Sequence, residues 1–150
     1  MNGKLKIFGL IAIGFVAVFI AASTILQILT EVESAENIQS VAWLPLSATN
    51  VSYAKNYNRR YFEFDITEAE FTKWANEYLI SEISKPIGVT RYTIMVDDPD
   101  VVPADIEANP HYTAIITNGL ADKHTQSNHG GYTVVFDRDQ KRAYFESARR

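Results

Sequence analysis

None of the 150 residues is cysteine. No disulfide, cysteine-based zinc site or thiol nucleophile can therefore belong to this chain's chemistry. A basic excess is missing too. The formal net charge is −4, and residues 41–150 carry 12 Lys and Arg against 15 Asp and Glu. A domain of that sign does not neutralise phosphates, which excludes nucleic acid as a partner. Neither G-x-S-x-G nor H-E-x-x-H occurs, and there is no P-loop or G-x-G-x-x-G. These absences remove the familiar routes to nucleophilic, metalloprotease and nucleotide chemistry. Catalytic residues stay unassigned and no cofactor is expected. No internal repeat or low-complexity tract interrupts the chain.

What the chain does have is a long apolar run. Ile7 to Leu29 is a 23-residue stretch without one charged side chain. As a helix it would be roughly 34 Å long, enough for a hydrocarbon core of about 30 Å. Its length exceeds the apolar region of a secretory signal peptide, about 7–15 residues. An uncleaved transmembrane anchor over 7–29 is the expectation. Cleavage near Ala21-Ala22-Ser23 is the alternative and would give a secreted small-ligand binder. Lys4 and Lys6 precede the stretch, whereas Glu31, Glu33 and Glu36 follow it. The positive-inside rule then places residues 1–6 in the cytoplasm and the bulk of the chain outside the cell membrane. The bilayer is thus an expected partner. Gly14, Ala17 and Ala21 share one helix face, a pattern compatible with a homo-oligomer.

Thr30 to Ser40 are polar and acidic, and 30–43 read as a linker or stalk, leaving 44–150 as the folded domain. Thr67 and Glu70 form a T-x-x-E capping box, with Ile66 and Phe71 placed as its hydrophobic staple. Phe71, Trp74, Ala75, Tyr78, Leu79 and Ile83 then recur at helical spacing, predicting a helix from Glu68 to Ser84. Strands are predicted from Val51, over Tyr61–Ile66, over Thr90–Val96 and over Tyr112–Thr117. Tyr132–Phe136 and Arg142–Glu146, joined through Asp137-Arg138-Asp139-Gln140, predict a β-hairpin. Residues 118–131 read as a polar loop. The expected fold class is α+β: a transmembrane helix, then a mainly antiparallel sheet packed against one amphipathic helix.

Three clusters carry candidate chemistry. Asp122, His124 and His129 lie in one polar stretch and offer carboxylate and imidazole ligands for zinc. An envelope metal-binding protein or hydrolase would use them. Asp97, Asp98 and Asp100, with Asp105 and Glu107, supply calcium-type oxygens but lack EF-hand spacing. Tyr57, Arg59, Arg60 and Tyr61 interleave aromatics with arginines, the residue types favoured where proteins touch partners.

Leu44-Pro-Leu-Ser-Ala-Thr-Asn-Val51, the aromatic strand after it, and Ile66–Trp74 resemble small bacterial membrane-anchored or lipoprotein-like domains of unknown function. Those domains pair a P-x-S-A-x-N opening with a Phe-x-x-Trp or Phe-x-x-Phe helix and a tyrosine-rich final hairpin. The resemblance implies a bacterial envelope setting and brings no activity with it. The lipobox cysteine of the lipoproteins is absent. Together these readings predict a membrane-tethered, extracytoplasmic, non-enzymatic module that contacts a protein partner.

Overall fold

The computed structural model describes residues 18–23, 31–97, 109–126 and 130–149. The chain divides into two units, Met1–Glu31 and Val32–Arg150. In the first, residues 18–23 are helical, and the Ser23 hydroxyl donates to the Ile20 carbonyl at 2.9 Å. No helix among the described residues is long and apolar enough to cross a membrane. The expected single-pass anchor over 7–29 is corrected on that finding. The localisation and orientation built on it are withdrawn with it. The remainder of 7–29, including Gly14 and Ala17, lies outside the described residues.

Among its described residues the second unit shows nine strands and two short helices. In chain order they are β1 (Glu33–Ile38), β2 (Thr49–Lys55), β3 (Arg59–Asp65), α1 (Glu68–Trp74), β4 (Ser81–Glu82), β5 (Ile87–Thr90), α2 (Thr93–Asp97), β6 (Thr113–Ile116), β7 (Gly119–Thr125), β8 (Gly131–Asp137) and β9 (Arg142–Ala148). Seven strands make one sheet in the order β1-β2-β3-β9-β8-β7-β4, and β5 pairs with β6 separately. Every pairing is antiparallel. The fold class is therefore corrected from α+β behind a transmembrane helix to mostly antiparallel β.

Three departures produce that change. Glu33–Ile38, read as stalk, is edge strand β1, held to β2 from Glu33↔Lys55 to Ile38↔Val51. Its ladder breaks between Ala35 and Ile38, where Asn37 takes φ 52° and its N–H donates to Ser52 Oγ at 3.1 Å. Residues 119–125, read as loop, are β7, which pairs with β8 along its whole length. The helix predicted to reach Ser84 stops at Trp74. Beyond it the Asp122 carboxylate accepts the Leu79 N–H at 3.1 Å, and Ser81 and Glu82 pair with β7. Those backbone groups find sheet partners instead of continuing the helix. Leu79, assigned to the core face, is 87% exposed. The run Thr90–Val96 also departs from a single strand, ending β5 at Thr90 and turning helical from Thr93.

Other expectations hold. The β8–β9 hairpin forms, with Asp137 Oδ1 accepting the N–H groups of Asp139 and Gln140 at 2.9 and 3.2 Å. Thr67 caps α1 by accepting the Glu70 N–H, and its hydroxyl donates to Glu70 Oε2 at 2.8 Å. Ile66 and Phe71 are both buried, as a staple requires.

Side chains alternate across the sheet, and both faces are covered. On one face Val51, Phe62, Phe64, Val134, Phe136 and Phe145 pack with Leu44, Phe71 and Ala75. Phe71 stacks on Phe136 with ring centroids 5.2 Å apart. Each such buried aromatic contributes about 2–3 kcal/mol of transfer free energy. On the other face Ala54 and Tyr61 meet Tyr92, Ile94 and Met95. Beside them Ala121, Val135 and Tyr144 meet Val89 and Ile116 of the small sheet. At one rim Arg138 ties α1 to β4 through Glu68 at 2.6 Å and Glu82 at 2.6 Å.

Candidate functional site

Of the zinc candidates, Asp122 and His124 sit two residues apart on β7, whereas His129 lies outside the described residues. Asp122 Oδ2 accepts the Tyr132 hydroxyl at 2.7 Å as well as the Leu79 N–H. That hydrogen bond raises the Tyr132 pKa, because the carboxylate favours the protonated phenol. The His124 ring lies against Tyr132, with centroids 5.6 Å apart. Asp122 thus anchors the segment after α1. No group of three His, Cys, Asp or Glu side chains able to hold a metal occurs among the described residues. Most of the acidic 97–107 stretch also lies outside them. Its first member, Asp97, meets His111 Nε2 at 2.5 Å.

The arginine–tyrosine cluster forms the tip of the β2–β3 hairpin. Asn56 Oδ1 accepts the N–H groups of Asn58 and Arg59 at 2.9 and 2.8 Å, while Asn56 N–H donates to the Arg59 carbonyl. The Arg149 N–H donates to the Asn58 carbonyl at 2.7 Å, bracing the tip from β9's end. Tyr57 is 69% exposed, and Arg59 and Arg60 are exposed beside it. Tyr61 is different. It is buried against Met95 and Ile94, and burial raises its pKa. Of the four residues read as a contact cluster, Tyr61 alone therefore faces inward, while Tyr57, Arg59 and Arg60 are exposed.

One short nucleophile pattern does occur, Ser52-Tyr-Ala-Lys55, which reads S-x-x-K. It falls in a strand, where residues three apart face opposite sides. Ser52 Oγ is engaged by Asn37 N–H, and Lys55 pairs with Glu33 at 3.0 Å. The pattern brings no nucleophile and base together.

A second polar centre was not legible beforehand. Glu63, in the middle of β3, is fully buried. Its carboxylate accepts Arg91 Nε and Nη2 at 3.1 Å each and the Tyr92 N–H at 3.3 Å. Arg142 Nε lies 3.5 Å away, and Arg142 Nη1 donates to Asp65 Oδ1 at 2.6 Å. Asp65 Oδ2 also accepts the Asn50 side-chain amide at 3.0 Å. Burial, with the Glu63 charge second, pushes the Tyr144 phenol up to about 12. Two guanidiniums, an exposed carboxylate and a protonated phenol therefore line one cleft of about 620 Å³, walled by Pro110, Ala114 and Ile115. Register brings them together: Glu63 faces Tyr144 and Asp65 faces Arg142 across the β3–β9 pair.

No protein-family model, curated protein or solved structure matches this chain.

Proposed function

We propose that residues 32–150 form a non-enzymatic protein-interaction module whose contact surface is the β2–β3 hairpin tip. The observation that carries this reading is the exposed Tyr57 between a hydrogen-bonded Asn56 turn and two exposed arginines. A large amphipathic ring on a pre-organised turn loses little entropy when it is buried in a partner. Arg59, Arg60 and Arg149 concentrate positive charge at this end of a domain that is acidic as a whole. That asymmetry selects an acidic partner segment and speeds its encounter. The metal and hydrolase alternative rests on Asp122, whose Oδ2 accepts from Tyr132 and Leu79, and on His129, which lies outside the described residues.

The test places a photocrosslinking residue at Tyr57 and, as a control, at exposed Leu79. An adduct specific to position 57, lost in Arg60→Glu and weakened by salt, is the expected result. Identical adducts at both positions, or none at position 57, would overturn the reading.

A further inference from the structure

We propose that the cleft between β5–β6 and the β3–β9 pair binds a small zwitterion: an α-amino-acid head with an aliphatic tail. The argument begins with charge. Arg91, Arg142 and Asp65 line the polar wall, and Glu63, buried directly behind it, pairs with both arginines, giving two cations and two anions at the site. Their sum is zero, but the charges are separated in space. A net anion or net cation would leave one protein charge uncompensated on desolvation, whereas a zwitterion would not.

Geometry sharpens the match. Glu63 is sealed inside and holds Arg91 from below through two parallel N–H···O bonds. Arg91 is thereby fixed with its remaining N–H groups toward the cleft, one of them reaching the Pro110 carbonyl at 3.4 Å. Arg142 spends Nη1 on Asp65, and both side chains line the cleft together. A guanidinium and a carboxylate held side by side present the reverse of an α-amino-acid head. The ligand carboxylate meets the guanidinium N–H groups, and its ammonium meets Asp65. Tyr144, kept protonated to high pH, supplies a neutral donor in the same wall. The cleft's lining also includes Ile115, which is 58% exposed, with Ala114 and Pro110. These apolar groups suit an aliphatic tail. At about 620 Å³ the cleft falls within the usual range for small-molecule sites. This proposal is independent of the hairpin tip, which lies at the opposite end of β3.

The probe is L-leucine, titrated calorimetrically into the full chain beside two truncated analogues. 4-Methylpentanoate lacks the ammonium and 3-methylbutylamine lacks the carboxylate. Saturable leucine binding is expected, with each analogue weaker by about tenfold or more for its lost charge-assisted contact. Asp65→Asn should weaken leucine and leave 4-methylpentanoate unchanged, and Arg142→Gln should do the converse with the amine. Ile115→Lys, at an exposed position, should block leucine without altering the thermal midpoint, so the test survives if Arg142→Gln fails to fold. Equal binding of leucine and either analogue would overturn the proposal. So would undiminished binding by Ile115→Lys, or no saturable heat up to about 10 mM leucine.

Discussion

Replacing Glu63 by glutamine tests the electrostatic logic of the second face. The change is nearly isosteric, so packing against Tyr92 and Tyr144 survives while the negative charge disappears. Arg91 then keeps its positive charge over an amide that can satisfy at most one of its two N–H donors. Arg142 retains Asp65. Removing one partner of a buried ion pair costs about 3–5 kcal/mol, because the remaining charge stays desolvated. Here the Arg91 side chain is 31% exposed and can turn toward water, so the lower end, about 3 kcal/mol, is expected. For a domain of this size that lowers the midpoint by roughly 10 °C. Urea titration followed by the fluorescence of Trp43 and Trp74 measures it. The double change Glu63→Leu with Arg91→Met should recover most of the loss, since apolar pairs replace buried ion pairs at little cost. A loss below about 1 kcal/mol for Glu63→Gln would refute the reasoning, and so would a double variant less stable than the single one.

Other outcomes follow from the same packing. Phe71→Ala removes a fully buried ring stacked on Phe136 and should cost about 3–5 kcal/mol in urea titration, whereas Leu79→Ala should stay within about 0.5 kcal/mol. Thr67→Ala deletes the α1 cap and should cost about 1 kcal/mol by the same measurement. Arg138 holds the carboxyls of Glu68 and Glu82 below their ordinary value of 4.5. Depressed carboxylate pKa values contribute stability above the unfolded value that is lost as pH falls through the folded one. Arg138→Met should therefore lower the thermal midpoint at pH 7, with the difference from the parent shrinking below about pH 4.5 and in high salt. At the alkaline end the Tyr144 pKa stands above its unfolded value of 10, so its stabilising effect is complete below pH 10 and fades as pH rises toward 12. Tyr144→Phe should flatten that decline in a pH series of thermal melts.

The β8–β9 hairpin and the Thr67 cap were readable from sequence because local chemistry alone specifies them. Alternating apolar residues flank an Asp-rich turn in one case, and a side-chain oxygen meets an orphan N–H in the other. Strands β1 and β7 were not, because ESAENI and GLADKHT carry little apolar alternation and owe their conformation to neighbouring strands. The burial of Glu63 was hidden for a related reason. In the alternation of Tyr61–Asp65 a charged position reads as solvent-facing, yet β5, α2 and Arg91 cover that side. The exposed arginines at the hairpin tip were visible in advance. The cleft was not, since Asp65, Arg91, Ile115 and Arg142 meet only through sheet register and tertiary packing.

The place of β9 has a kinetic consequence. The pairing at the centre of the large sheet joins residues 59–65 to 142–148. On a ribosome β1, β2 and β3 emerge early, but the strand that completes them emerges after all eight others. Until then the nascent chain holds two incomplete half-sheets, each with a raw apolar edge, and closing the connection between them is entropically slow. Acquisition of the fold is therefore nearly all-or-none with respect to length. A chain halted before Arg142 lacks the strand that supplies Ala143 and Phe145 to the first face, Tyr144 to the second, and Arg142 to the cleft. Such a fragment should be sensitive to protease and to chaperone capture, while the completed chain closes both edges in one step.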